Sequence, residues 1–200
     1  MKEILENFKI EGEYVTQERL ESGHINKTWC IQTTKCNYVL QELNVSVFKD
    51  VDGLTNNMLA VVEHLATKGE RAPAVIMTKD NKPYYKERNI VYRAFDYIED
   101  VDTYSVTPNE KVFSEAGKVL GRFQKALVDF NITKLKDTIP DFHNTPKRFR
   151  DFIIALESNV KNRKSECEEE IEYILSQRDN ISKIQDKLES GEIPLRVVHN

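Results

Sequence analysis

Up to about residue 100 the apolar positions come in short alternating runs, rich in β-branched and aromatic residues; beyond it they recur every three or four residues. Alternation puts every second side chain on one sheet face, so the early runs predict strands. They fall at residues 14–20, 28–33, 38–43, 74–78 and 89–95, the first of them weakly patterned. Lys35, Cys36 and Asn37 mark a hairpin turn between the second and third runs, and residues 79–83 a turn between the last two. One helix interrupts the strands. Over residues 54–67, Leu54, Met58, Val61, Val62 and Leu65 share a face, and Gly69 stands where that helix should stop.

The later pattern is helical. Thr107, Pro108 and Glu110 have the spacing of an N-cap, a first-turn proline and a capping box. Val112, Phe113, Ala116, Val119, Leu120, Phe123, Leu127 and Phe130 continue from there at helical spacing. Gly117 and Gly121 lie one turn apart inside this run; each costs about 1 kcal/mol relative to alanine, which predicts close packing against another segment. Thr145 and Pro146 open a helix carrying Phe149, Phe152, Ile153, Leu156 and Val160. Ser165 and Glu168 form a second capping-box pattern, leading a helix through Ile171, Ile174, Leu175, Ile181, Ile184 and Leu188 to Gly191. Residues 193–198 read as a short extended segment. The fold class is therefore α+β: a sheet with one helix over residues 1–98, then a mainly helical part over 99–200, joined near residues 95–102.

Composition narrows the function classes. A 40% apolar and 31% charged chain is an ordinary globular one, and its net charge of −4 gives no footprint for nucleic acid. No apolar stretch approaches the ~20 residues of a membrane span. The acidic start of the chain is no signal peptide. Three cysteines, Cys30, Cys36 and Cys167, without paired spacing or a histidine cluster, argue against disulfides and zinc and for a reducing, cytoplasmic setting.

Three segments carry candidate chemistry. The first is the loop between the first two strands, with Ser22, Gly23, His24, Ile25, Asn26 and Thr28: a glycine for the tight turn and small donors at the rim suit a phosphate cradle. Taken alone, a single glycine between strands is more often a plain hairpin. His64, beside the helix stripe, is a structural or solvent-facing histidine. The second segment is the end of the last strand, Phe95, Asp96, Tyr97 and Ile98, whose free backbone groups and apolar side chains suit the edge and faces of an adenine ring, although the aromatics alone read better as a plain buried strand. The third is His199 and Asn200 at the end of the sequence, which fit the start of an HxD-type loop for phosphoryl transfer.

Taken together, the segments ESGHINKTW, YVLQELNVSVFKD, NIVYRAFDYIEDVDTY, EAGKVLGRFQKAL, TIPDFHNTPKRF and GEIPLRVVHN resemble the aminoglycoside phosphotransferase and choline kinase superfamily, and within it the N-acetylhexosamine 1-kinase group. The resemblance implies a protein-kinase-like fold, ATP and Mg2+, and a small-molecule acceptor, an amino sugar foremost. It makes Ser22, Gly23, His24, Ile25, Asn26 and Thr28 the loop over the nucleotide phosphates and Phe95 to Ile98 the hinge against adenine. His199 and Asn200 become the opening of the catalytic loop, whose aspartate base, asparagine and later metal-binding aspartate would follow, so residues 1–200 alone are expected to be inactive. His143 and Asn144 are implied in shaping the sugar pocket, with capping of the turn before Pro146 as the alternative. Gln41 falls where many kinases carry a phosphate-pairing lysine, and Glu63 on the helix is no obvious partner for it. Choline, an aminoglycoside or another small alcohol are alternative acceptors; a non-catalytic nucleotide-binding pseudokinase is the alternative of another class.

Overall fold

A computed structural model describes residues 1–20 and 25–198. The chain forms two compact units, residues 1–138 with 196–200, and residues 139–195. Ser22, Gly23, His24, His199 and Asn200 lie outside the described residues.

The first unit is built on an antiparallel sheet. Its strands are β1 (Tyr14–Leu20), β2 (Lys27–Thr33), β3 (Asn37–Leu43), β4 (Val75–Ile76), β5 (Tyr85–Glu87) and β6 (Ile90–Asp96). They are ordered β1-β2-β3-β6-β4, with β5 also paired to β6. Four of the five expected strands appear at nearly their expected bounds. The fourth shrinks to two residues, although Thr78 still bridges to Phe8. β5, with only three residues, was too short to leave an alternating pattern.

Alternation sorts the sheet into two faces. On one, Trp29, Ile31, Tyr38, Leu40, Tyr92 and Ala94 are buried against Ile4, Leu5 and Phe8. The last three come from a short helix, α1 (Lys2–Leu5), and the segment after it. Lys9 N–H donates to the Met77 carbonyl and Lys79 N–H to the Asn7 carbonyl, both at 2.8 Å, fastening this segment beside β4. Four residues of helix have no stability of their own in water. Burial of Leu5 and Phe8, each 1% exposed, holds α1 in place.

α2 (Val51–Thr67) begins three residues earlier than its apolar stripe, because Asp50 caps it by accepting from Gly53 N–H at 2.8 Å. It ends as expected, with Gly69 at φ +73° and the Glu70 N–H reaching back to the Leu65 carbonyl. α3 (Glu110–Ala126) is capped by Asn109, whose side chain accepts from Val112 N–H at 3.0 Å. Thr107, the expected cap, lies outside the helix and bonds the Asn109 carbonyl. Beyond Ala126 the chain leaves the helix, and Leu127 and Phe130 pack with Leu65 and Ala126 in a second core. His64 Nε2–H donates to the Ala126 carbonyl and Asp129 Oδ1, both at 3.1 Å, and its ring stands edge-on to Phe130, a structural role.

The expected close packing at Gly117 and Gly121 is not present: a Cβ at either would meet nothing within 4 Å among the described residues. Phe113, Val119 and Leu120 on the same helix are about half exposed or more.

The second unit is helical. α4 (Thr145–Ser158) starts at Thr145 as expected, and Asn159 in the left-handed region at φ 39° ends it. The single helix expected after Ser165 is instead two, α5 (Glu168–Ser176) and α6 (Lys183–Glu189), separated by a 3-10 turn at Arg178–Asn180. Asp179, Asn180 and Ser182 cluster at this break, residues that compete for backbone hydrogen bonds inside a helix. Ser165 lies in a preceding 3-10 turn and makes no cap; α5 has none from a side chain. Among the described residues no helix is long and apolar enough to cross a membrane.

Candidate functional site

Directly paired residues in a sheet project to the same face. Register therefore sets two rows on the face opposite α1: Thr28, Gln41 and Arg93 in one, Cys30, Val39 and Phe95 in the next. The two rows are one two-residue step apart, roughly 7 Å along the strands. The second row is an apolar platform of half-buried side chains. Burial, with Glu18 and Glu99 nearby, pushes the Cys30 thiol up, so it stays a neutral member of that platform.

The first row is polar and internally bonded. Arg93 donates to Gln41 Oε1 from Nε at 2.9 Å and from Nη2 at 2.7 Å. Gln41 Nε2 donates in turn to Thr28 Oγ1 at 3.1 Å. Arg93 Nη1 reaches Met58 Sδ on α2 at 3.6 Å, and its guanidinium lies 5.2 Å from the Phe95 ring centroid. Burial pushes the Arg93 guanidinium down to about 10, which still leaves it charged at neutral pH. Reading the sequence alone missed Arg93. The available signal was a charged residue inside a strand run otherwise apolar, which a buried strand accepts only with partners.

Of the loop residues, Thr28 opens the polar row, while Asn26 Oδ1 accepts from Asn44 N–H at 2.9 Å and ties the loop to the end of β3. Ile25 is half exposed and lines a cavity of about 320 Å³ with Lys27, Glu42, Asn44 and Ile90. This cavity lies away from the Gln41 and Arg93 row. A second cavity of about 750 Å³, lined by Asp52, Thr55, Lys79, Lys82 and Tyr84, contains none of the residues picked out in the sequence.

At the end of β6 the backbone is partly used. Asp96 N–H donates to the Ala74 carbonyl at 3.0 Å, its carboxylate accepts from Ala74 N–H, and Tyr97 N–H donates to the Asn37 carbonyl at 3.3 Å. Ile98 is the first residue of this stretch whose amide has no backbone partner among the described residues. In the second unit, Asn144 Oδ1 caps α4 by accepting from Lys147 N–H at 2.9 Å, and His143 is exposed with its ring edge-on to Phe142. Among the described residues no group of three histidine, cysteine or carboxylate side chains is arranged to hold a metal ion.

The antiparallel sheet with its helices has the protein-kinase-like α+β architecture. The description "Phosphotransferase enzyme family" (APH) matches residues 16–200, nearly all of the chain, and the chain belongs to that family. Two solved structures are similar to it in fold. One is spectinomycin phosphotransferase in complex with ADP and spectinomycin, at 15% identity and TM-score 0.50, covering 84% of this chain and 54% of that one. The other is an aminoglycoside phosphotransferase from Alicyclobacillus acidocaldarius, at 14% identity and TM-score 0.53, covering 90% of this chain and 49% of that one. The chain thus spans about half the length of these proteins.

Proposed function

We propose that the full-length protein is a small-molecule kinase that takes the γ-phosphoryl group of Mg-ATP to the anomeric hydroxyl of an N-acetylhexosamine. The observation that carries the kinase reading is family membership over residues 16–200. In this reading residues 1–98 are the nucleotide lobe and 99–200 open the helical lobe. Adenine lies along the platform of Cys30, Val39 and Phe95, with Ile98 N–H at its edge. Phe95, Asp96, Tyr97 and Ile98 act as the hinge, and the loop of Ser22, Gly23, His24, Ile25 and Asn26 covers the phosphates.

In the transfer itself the bond from the γ-phosphorus to the β,γ-bridging oxygen breaks, and ADP leaves with that electron pair. A new P–O bond forms to the sugar oxygen, whose proton passes to a base; the aspartate expected after His199 and Asn200 would take it. Catalysis of this kind is chiefly positioning and charge stabilisation. The sugar acceptor is supported by the FHNT and GEIPLRVVHN segments, which resemble the N-acetylhexosamine 1-kinase group. His143, exposed with its ring edge-on to Phe142, is open to a sugar in this reading, while Asn144 acts through the cap it makes. The aminoglycoside enzymes that share the fold do so at 15% and 14% identity, too distant to carry an acceptor across.

The test is a phosphorus NMR screen of the full-length protein with Mg-ATP and a panel of acceptors. Sugar 1-phosphate from N-acetylglucosamine or N-acetylgalactosamine is the expected product. Turnover only with choline or aminoglycosides would overturn the sugar assignment, and nucleotide binding without turnover on any acceptor would favour a pseudokinase.

A further inference from the structure

Gln41 leaves the kinase reading with a physical gap. A neutral amide hydrogen-bonds phosphate oxygens but does nothing to offset their charge, and the Gln41 carbonyl oxygen is already taken up by two donors from Arg93. Behind it stands a cation with no carboxylate paired to it among the described residues. We propose that Arg93, steadied by Gln41, is the group that meets the nucleotide's phosphates on this sheet face, so that β6 supplies the charge that β3 lacks. The proposal rests on the kinase reading above.

Four observations lead to it. Arg93 belongs to the bonded row that runs through Gln41 to Thr28, the second residue of β2. The adjoining row of Cys30, Val39 and Phe95 is flat and apolar, suited to a purine one step from the charge. The guanidinium has five N–H donors, of which three are engaged, on Gln41 and Met58. The others are free for an anion, and the planar fork of arginine matches phosphate geometry. Finally, a half-buried cation is costly to leave unpaired, and an anionic ligand removes that cost. Met58 Sδ accepts from the guanidinium and the Phe95 ring lies 5.2 Å from it, so its position does not depend on the ligand's arrival.

The role separates from a structural one by comparing nucleotides that differ only in phosphate. Calorimetric titration of the full-length protein with Mg-ADP and with adenosine supplies the readout. In R93M, the ADP affinity is expected to fall roughly tenfold or more while adenosine affinity stays within about twofold. R93K should recover part of the loss, because it keeps the charge without the fork. Should R93M fail to fold in a thermal melt, Q41E decides: it keeps the shape, neutralises Arg93 from the adjacent strand, and should show the same phosphate-selective loss. Parallel losses for ADP and adenosine, or an unchanged ADP affinity in these variants, would overturn the assignment. A wild-type protein that binds neither nucleotide would overturn the kinase reading and this one with it; normal wild-type binding with unchanged variants removes only Arg93.

Discussion

Three glycines inside helices give the same substitution opposite signs. Replacing glycine by alanine in a helix interior gains about 1 kcal/mol, because alanine loses less backbone entropy on folding. At Gly117 and Gly121 of α3 an added Cβ meets nothing within 4 Å, so the whole gain should be realised at each. Gly53 is different. It is the third residue of α2, and its N–H is the donor in the Asp50 cap at 2.8 Å. A Cβ there would lie 2.7 Å from Asp50 Cγ and closer still to Oδ2, so the carboxylate must swing away and the cap is lost. Loss of an N-cap costs about 0.5–2 kcal/mol, and a first-turn position recovers little of the interior propensity gain. G53A is therefore expected to destabilise by about 1 kcal/mol. For a chain of this size, 1 kcal/mol moves the melting temperature by about 2–4 °C. Thermal melts of residues 1–200 followed by circular dichroism should show G117A and G121A moving up and G53A moving down. A fall in G117A or G121A would refute the reasoning for α3, since it requires a close neighbour at a face that is open among the described residues.

Other variants test other parts of the structure. N109A should cost about 0.5–2 kcal/mol by removing the α3 cap, while T107A leaves stability unchanged; the reverse pattern in a urea titration would restore Thr107 as the cap. Thr55 is 1% exposed and its hydroxyl has no partner among the described residues, so T55V should stabilise by about 1 kcal/mol in the same titration, and destabilisation would mean that the hydroxyl is bonded. Asp129 is held below its ordinary 3.8 by its hydrogen bond from Lys68, then by His64. A carboxylate with a lowered folded value stabilises above its unfolded pKa and loses that contribution as pH falls through the folded one. Melts of wild type and D129N should therefore differ at neutral pH, begin to close as pH falls past about 3.8 and converge only below the lowered folded value; a gap that does not close in acid would count against the pairing.

Much of the architecture was legible in the sequence, for reasons that can be traced residue by residue. Trp29 and Ile31, Tyr38 and Leu40, and Tyr92 and Ala94 are buried at alternate positions of their runs, so alternation alone located β2, β3 and β6. Gly69 marked the end of α2 because only a left-handed residue closes that turn cheaply. Short or weakly patterned pieces escaped: α1 and β5 have too few residues to establish a period and exist only because the sheet buries or pairs them. Caps shifted too, from Thr107 to Asn109, because several residues of suitable chemistry stand together and only backbone geometry selects among them.

The candidate site divides along the same line. The sequence alone determined that a sheet with one helix precedes a helical part, and it singled out a glycine loop, a strand end and position 41 as candidates. The family resemblance marked Gln41 as standing where many kinases carry a lysine. Only the tertiary structure decided that Arg93, 52 residues away in sequence, sits directly across the strand pair and donates to Gln41 twice. Strand register is a long-range choice, set by which apolar faces are buried together, and no local pattern in either strand records its partner.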